Sequence, residues 1–482
     1  MLAALLDRWQ VRSIFSGNDH AVHEKYRGII LRTESRWMGG VFLSACLLVL
    51  LSGELSNLYA YLVHAEGVNA GTYAIFMAAT VCAALGIIGG RQRLNSIPAL
   101  TLLALLAFGV ILALIYQLLY APDPVLAIKA SLSYFFIPFC ALGAYAFHVT
   151  SSRLSSQFFL VAGIFLSSIG IMQYLLGYAV DEGWLVLMGE EVLGFPPLGW
   201  VRPTALVGNS IIFAAVIFLF LVFSYQYYLS EGSWLSGLAV VMLASVQYLA
   251  MSRYALAATA GWCALLTILW FVLASDRRRY LTRLAIVIAI TAFSCVALTA
   301  YNSIAHHSVD PLFPTQTTSS NWLIVERFDS SAGLSQGSNE DHRAEALQAM
   351  EFIRSGEAPL GWGSQGISAD SRIITDGLWF QFGIELGLWG AIAFVAWLVA
   401  LAVAVIMMMR SALREHGWRE SRIMLALGLT LMGYIVYSLV GGWVNSSLAG
   451  RVGYFFFWTM IGCFFGEISR LRRSSGAADE PR

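Results

Sequence analysis

The chain has 482 residues, 58% of them hydrophobic and only 12% charged, with a mean hydropathy of +0.70, which is more apolar and less charged than soluble domains are. That balance describes an all-α, polytopic membrane protein, and nothing in a formal net charge of zero suggests a nucleic-acid partner. The six cysteines (Cys46, Cys82, Cys140, Cys263, Cys295 and Cys463) all fall inside apolar runs without metal-ligand spacing, so they read as small core residues rather than a disulfide framework or zinc site.

The first stretch, "MLAALLDRWQVRSIF", is interrupted by Asp7, Arg8 and Arg12, which breaks the short apolar core that a cleavable signal needs. Residues 1–37 are expected to stay as an interfacial, cytoplasmic segment. A helix takes about 20 apolar residues to cross about 30 Å of hydrocarbon. About twelve runs suffice: 38–62, 72–90, 96–120, 125–148, 157–179, 210–229, 234–252, 255–275, 284–301, 378–409, 423–444 and 452–469. Residues 38–301 then hold nine spans with a loop at 180–209, residues 302–377 form a second and larger loop, residues 378–469 hold three more spans, and 470–482 are a tail.

Basic residues select one set of connections: Arg91, Arg93, Arg153, the run "DRRRYLTR" from Asp276, and Arg410, Arg414, Arg419 and Arg422. Both chain ends join that set through "HEKYRGIILRTESR" and "RLRRSSGAADEPR". By the positive-inside rule this face and both termini are cytoplasmic, and the loops 180–209 and 302–377 lie on the opposite side.

The larger loop has internal order. In "SNEDHRAEALQAMEFIRSGEAPLGWGSQG", Ala346, Leu347, Met350 and Ile353 recur at helical spacing, Ser338 and Asn339 are capping candidates, and Gly356 is a stop. A short helix over about 341–355 is expected, with Arg343 projecting beside Leu347 and Met350 toward the packing surface. Gly361, Gly363 and Gly366 then permit tight turns. The tenth span opens at "TDGLWFQFGIELGLWG", where Asp376 stands at the mouth of an apolar helix and Glu385 is the only other charge. Glu385 is expected to face the bundle and to pair with an arginine.

Further arginines border the same side. Arg202 precedes the sixth span in "GFPPLGWVRPTALVGN", and Arg253 occupies the short "MSRYAL" connection between the seventh and eighth. Arg327, Arg354 and Arg451 are less constrained. Guanidinium is permanently charged and forks onto phosphate, so several converging on one surface make a pyrophosphate clamp. The alternative for each is an interfacial arginine that snorkels to headgroups or pairs with a loop carboxylate; for Asp376 it is a helix N-cap beside Thr375. Lys129 is expected to snorkel or meet a lipid phosphate, and His306, His307 and His342 to be solvated.

These segments, in this order, resemble the O-antigen ligase and O-antigen polymerase superfamily of bacterial inner-membrane glycosyltransferases. The resemblance is carried by "RPTALVGNSIIFAAVIFLF", by "SRYALAATAGW", and by "HRAEALQAMEFIRSGEAPLGWGSQG" running into "DGLWFQFGIELGLWG", and it covers roughly Gly194 to Gly390. It implies a multi-pass inner-membrane enzyme with its active site on the periplasmic side. It further implies transfer of a glycan from undecaprenyl pyrophosphate to an acceptor sugar, without metal, nucleotide sugar or other cofactor. Arg202, Arg253 and Arg343 would bind the pyrophosphate, with Arg343 also stabilising the leaving charge, and Asp376 would act on the acceptor hydroxyl. The ligases open the final motif with a histidine about eleven residues before the glycine matching Gly387, and here that place belongs to Asp376. The resemblance therefore tilts toward a polymerase of O-antigen or exopolysaccharide repeat units, whose acceptor is another lipid-linked repeat. A ligase acting on lipid A-core is the second reading. A transporter or flippase for a lipid-linked solute is the reading from another class; it would predict related halves and matched broken helices, and neither is evident in the sequence.

Overall fold

The computed structural model describes residues 37–53, 55, 70–90, 96–115, 132–176, 203, 205–207, 210–250, 252–274, 276–305, 333–355, 377–442, 448 and 450–476. Among them the regular structure is all helix, as apolar runs in a bilayer require, because only internal hydrogen bonds can satisfy the backbone there. We number the helices α1 (Trp37–Leu50), α2 (Ala70–Gly90), α3 (Ile97–Ala113), α4 (Cys140–Leu176), α5 (Ser210–Glu231), α6 (Trp234–Leu249), α7 (Arg253–Leu273), α8 (Arg277–Ala305), α9 (Gly333–Ser355), α10 (Leu378–Glu385), α11 (Gly387–Glu420), α12 (Arg422–Gly441) and α13 (Arg451–Gly476).

Every one of the expected apolar runs carries helix, and eight helices are long and apolar enough to cross a membrane, while α1, α3 and α6 are shorter in their described parts. The chain is a polytopic, membrane-spanning helical protein. One of the eight, Tyr134–Leu175, has 42 residues, or about 63 Å of helix against a hydrocarbon layer of about 30 Å. Its helical geometry breaks at Ser151, so the described parts of the expected runs 125–148 and 157–179 fall on its two limbs.

Several boundaries differ from those expected, each for a local reason. The eighth helix starts at Arg277 rather than 284 because Asp276 caps it, accepting from the Arg279 backbone N–H at 3.1 Å, so "RRRYLTR" forms its first turns rather than a loop. The expected span 378–409 divides into α10 and α11 at Gly387, whose φ of +69° suits glycine. The loop helix begins at Gly333, which places Ser338 and Asn339 inside it rather than at its cap. At the chain end α13 continues through residue 470 to Gly476.

The core is built around α13, whose apolar window is wholly buried, and α5 is nearly as enclosed. Gly462 brings α13 onto the Ala141 carbonyl of α4, and Gly143 brings α4 onto the Cys82 carbonyl of α2; any Cβ at either glycine would strike that backbone. Trp397 of α11 stacks on Trp458 of α13 with ring centroids 5.0 Å apart and donates its indole N–H to Leu105 of α3 at 2.9 Å. Cys46, Cys82, Cys140 and Cys463 are buried in this core and all six cysteines are free thiols. Peripheral α7 and α8 leave most of their apolar surface uncovered.

Side-chain bonds fix which helix ends lie together. At one end, Arg283 of α8 reaches the Leu229 carbonyl of α5 (3.2 Å), Arg422 of α12 pairs with Glu231 (3.2 Å), and Arg472 of α13 approaches Glu415 of α11 (3.7 Å). Buried Glu467 there accepts two bonds from Arg470 (2.8 and 2.7 Å), and its Oε2 lies 2.9 Å from His148 Nε2. The opposite end holds the candidate site.

Candidate functional site

Arg253 is the first residue of α7 and is half-buried. Its neighbour Tyr254 donates its hydroxyl to the Tyr437 carbonyl of α12 at 2.6 Å, and its ring lies where a Cβ on Gly441 would have to be. On the next residue, Gly442, the same space is filled by the indole of Trp379 in the first turn of α10. Trp379 also donates its indole N–H to the Leu439 carbonyl and its backbone N–H to the Gly442 carbonyl, both at 3.1 Å. The end of α12 is thus gripped from two sides, with Arg253 beside one aromatic and the start of α10 carrying the other.

Gly377 is the N-cap of α10, and Asp376, immediately before it, lies outside the described residues. So do Thr375, Arg202, Arg327, Lys129, His306, His307, Gly356, Gly361, Gly363, Gly366, the segment 1–36 and most of the loop 180–209. The side chain of His342 is likewise not described.

The next helix to reach this end is α9, which packs on α10 through Ala349 against Phe380 and Ile384, with Ala346, Met350 and Phe352 around them and Ile353 set against Gly383. The stripe 346, 349, 350 and 353 leaves Leu347 55% exposed and Arg343 exposed at its border. Arg343 was expected to point at the packing surface; instead it sits beside that surface, because Ala349 and Ile353 rather than Leu347 make the contact. The arginine consequently keeps its solvation.

Three residues beyond Arg202, Ala205 is held by Gln173 of α4. The Gln173 side chain accepts from the Ala205 N–H at 2.7 Å and donates to its carbonyl at 3.2 Å. Ala205 has a φ of +45°, a left-handed conformation that costs a non-glycine residue about 1–2 kcal/mol, so this two-point bond fixes a strained turn leading into α5.

Glu385, at the last turn of α10, is buried and faces the bundle as expected. Tyr134 donates to its Oε2 at 2.5 Å and Gln381 to its Oε1 at 3.2 Å. Arg451 acts on it electrostatically while donating to Thr72 of α2 at 2.5 Å. Glu385 was expected to pair with an arginine; it is held instead by the Tyr134 hydroxyl and the Gln381 amide, and no described arginine lies within ion-pair distance of it. Tyr454, one turn along α13, closes the cluster by donating to the Tyr134 carbonyl at 2.7 Å.

Contacts thus join the starts of α7 and α10 through the end of α12 and join α9 to α10, whereas the turn at Ala205 is tied to α4. The tyrosine, tryptophan and glutamine that hold these elements, and Arg451, carry no distinguishing pattern in the sequence. The adjacent glycines of "LVGGWVN" are the one signal that could have marked the junction. Among the described residues no group of three His, Cys, Asp or Glu side chains is placed to hold a metal ion. No family model matches the chain, and no curated protein matches it.

Proposed function

We propose that the protein is a periplasm-facing glycosyltransferase that moves a glycan from undecaprenyl pyrophosphate to an acceptor sugar, working as an O-antigen or exopolysaccharide repeat-unit polymerase. What supports this reading above all is the grip of Tyr254 and Trp379 on Gly441 and Gly442, which ties the start of α7, led by Arg253, to the start of α10. In the reaction the acceptor hydroxyl attacks the anomeric carbon, the bond to the pyrophosphate oxygen breaks, and undecaprenyl pyrophosphate leaves. Arg202, Arg253 and Arg343 meet the charge that grows on that leaving group, and preorganised charge of this kind is commonly a large part of catalysis. Asp376 takes or orients the acceptor proton. The arginine-poor end of the bundle would be periplasmic and both termini cytoplasmic.

Purified protein given an undecaprenyl-pyrophosphate-linked glycan tests the proposal. A ladder of lengthening lipid-linked products is the expected result. Transfer only to lipid A-core would replace polymerase with ligase. Absence of any transfer, together with movement of the donor across proteoliposomes, would overturn the enzyme in favour of a flippase.

A further inference from the structure

At the end of the bundle away from the candidate site, Asp276, Arg278, Arg279, Thr282 and Arg283 line an open concavity at the start of α8. One of its cations is held by the bundle. Arg283 is bonded to the Leu229 carbonyl at 3.2 Å and lies against Gly232, where a Cβ would strike its guanidinium. Arg279 pairs with Asp276 at 3.2 Å, and the neighbouring Arg277 stacks over the Phe271 ring at 5.2 Å. Arg278 and Arg279 are exposed.

The surface beneath this concavity is apolar. At about 100° per residue, Arg278, Arg279 and Thr282 share a helical face with Ile286, Phe293 and Val296, which are 48%, 74% and 66% exposed. The opposite seam of α8 is the one that packs: Tyr280 and Val287 are buried, and Ser294 and Thr299 bond to Ser245 and Tyr248 of α6. The rise from Thr282 is about 16 Å to Phe293 and about 21 Å to Val296 at about 1.5 Å per residue, so Ile286 and Phe293 fall within one leaflet's half of a hydrocarbon layer about 30 Å thick and Val296 lies past it.

We infer that this face is a binding site for an anionic phospholipid of the adjacent leaflet, its phosphate held by Arg278, Arg279 and Arg283 and one acyl chain lying along Ile286 and Phe293. Charge at headgroup level directly above a bare apolar column one leaflet deep fits an amphiphile. A soluble anion would use only the upper part, and a protein partner would have no need of the match in length. The site is independent of the catalytic reading.

Full-length protein in neutral detergent is titrated with phosphatidylglycerol, phosphatidylcholine of the same chains, or inorganic phosphate, reading lipid adducts by native mass spectrometry and the melting temperature. Phosphatidylglycerol should be retained and should raise the melting temperature; phosphatidylcholine and phosphate should do neither. The double variant Arg278→Gln, Arg279→Gln should weaken retention by about tenfold or more, whereas Arg410→Gln with Arg414→Gln, two exposed arginines away from the column, should retain wild-type binding. Phe293→Ser should weaken lipid binding with all arginines present. Equal retention of both lipids, equal binding of inorganic phosphate, or unchanged retention in the Arg278, Arg279 variant would each overturn the inference. The lipid comparison on wild-type protein decides the matter even if a variant folds poorly.

Discussion

Tyr254 and Trp379 lie 125 residues apart in the chain yet occupy the places that side chains on the adjacent Gly441 and Gly442 would need. Because Tyr254 follows Arg253 and Trp379 lies in the first turn of α10, displacing either aromatic shifts an element of the candidate site. Gly441→Ala and Gly442→Ala should each destabilise by about 1–3 kcal/mol, the usual cost of overpacking, and lower transfer more than they lower expression. Denaturant unfolding in detergent and a transfer assay on the same preparations check this. Stability loss with wild-type turnover would show that the junction does not position the site.

Arginine chemistry gives the second prediction. A planar guanidinium forks onto a pyrophosphate, and an ammonium does not, so lysine at Arg202, Arg253 or Arg343 should lose most product just as alanine does. Arg343 is exposed, so its substitution should leave stability within about 0.5 kcal/mol and report on function alone. Full activity of Arg343→Lys would favour simple lipid or solvent contact.

At Asp376 two roles have opposite consequences. As a general base or hydroxyl-orienting group, Asp376→Asn should lower turnover by about 10²–10⁴-fold with donor binding retained. As a helix cap the same change should be nearly silent, since asparagine caps about as well as aspartate, while Asp376→Ala would cost about 1 kcal/mol. Turnover and donor affinity measured on Asp376→Asn separate the two, and Asp376→His tests whether the ligase-type residue can work in this setting.

Removing the Tyr134 hydroxyl isolates the buried cluster around Glu385. Tyr134→Phe deletes the donor to Oε2 and should destabilise by about 1–3 kcal/mol, the cost of leaving a buried acceptor without its partner. Glu385→Gln keeps the shape and an acceptor for Tyr134 and should cost less than Glu385→Ala, which leaves a cavity and a buried hydroxyl without its partner. An equal cost for Gln and Ala would mean that the carboxylate itself, rather than the bulk of the side chain, carries the contribution.

Orientation is open to direct measurement. The six native cysteines are buried or half-buried, so an impermeant thiol reagent should give a low background in spheroplasts. Leu347→Cys, exposed on α9, should be labelled from outside, and Asp276→Cys, exposed at the start of α8, only after permeabilisation. The reverse pattern would place the candidate site in the cytoplasm and end the proposed reaction.

The sequence by itself determined the membrane-spanning helical class and the approximate course of the apolar runs, because about 20 consecutive apolar residues leave a bilayer-embedded backbone little choice but helix. It also singled out the segments around Arg202, Arg253, Arg343 and Asp376, since charges beside apolar runs stand out in one dimension. What only the tertiary structure decided depends on azimuth and on partners distant in the chain. Periodicity gave α9 an apolar stripe but not which edge of it would be covered, and packing against Phe380 and Ile384 left Arg343 at the border. Arg451 looked like an ordinary interfacial arginine, but its guanidinium donates to Thr72 of α2, 379 residues earlier in the chain. A helix terminus is fixed by what touches it, and the contacts that grip Gly441 and Gly442 come from two other helices whose approach no local spacing encodes.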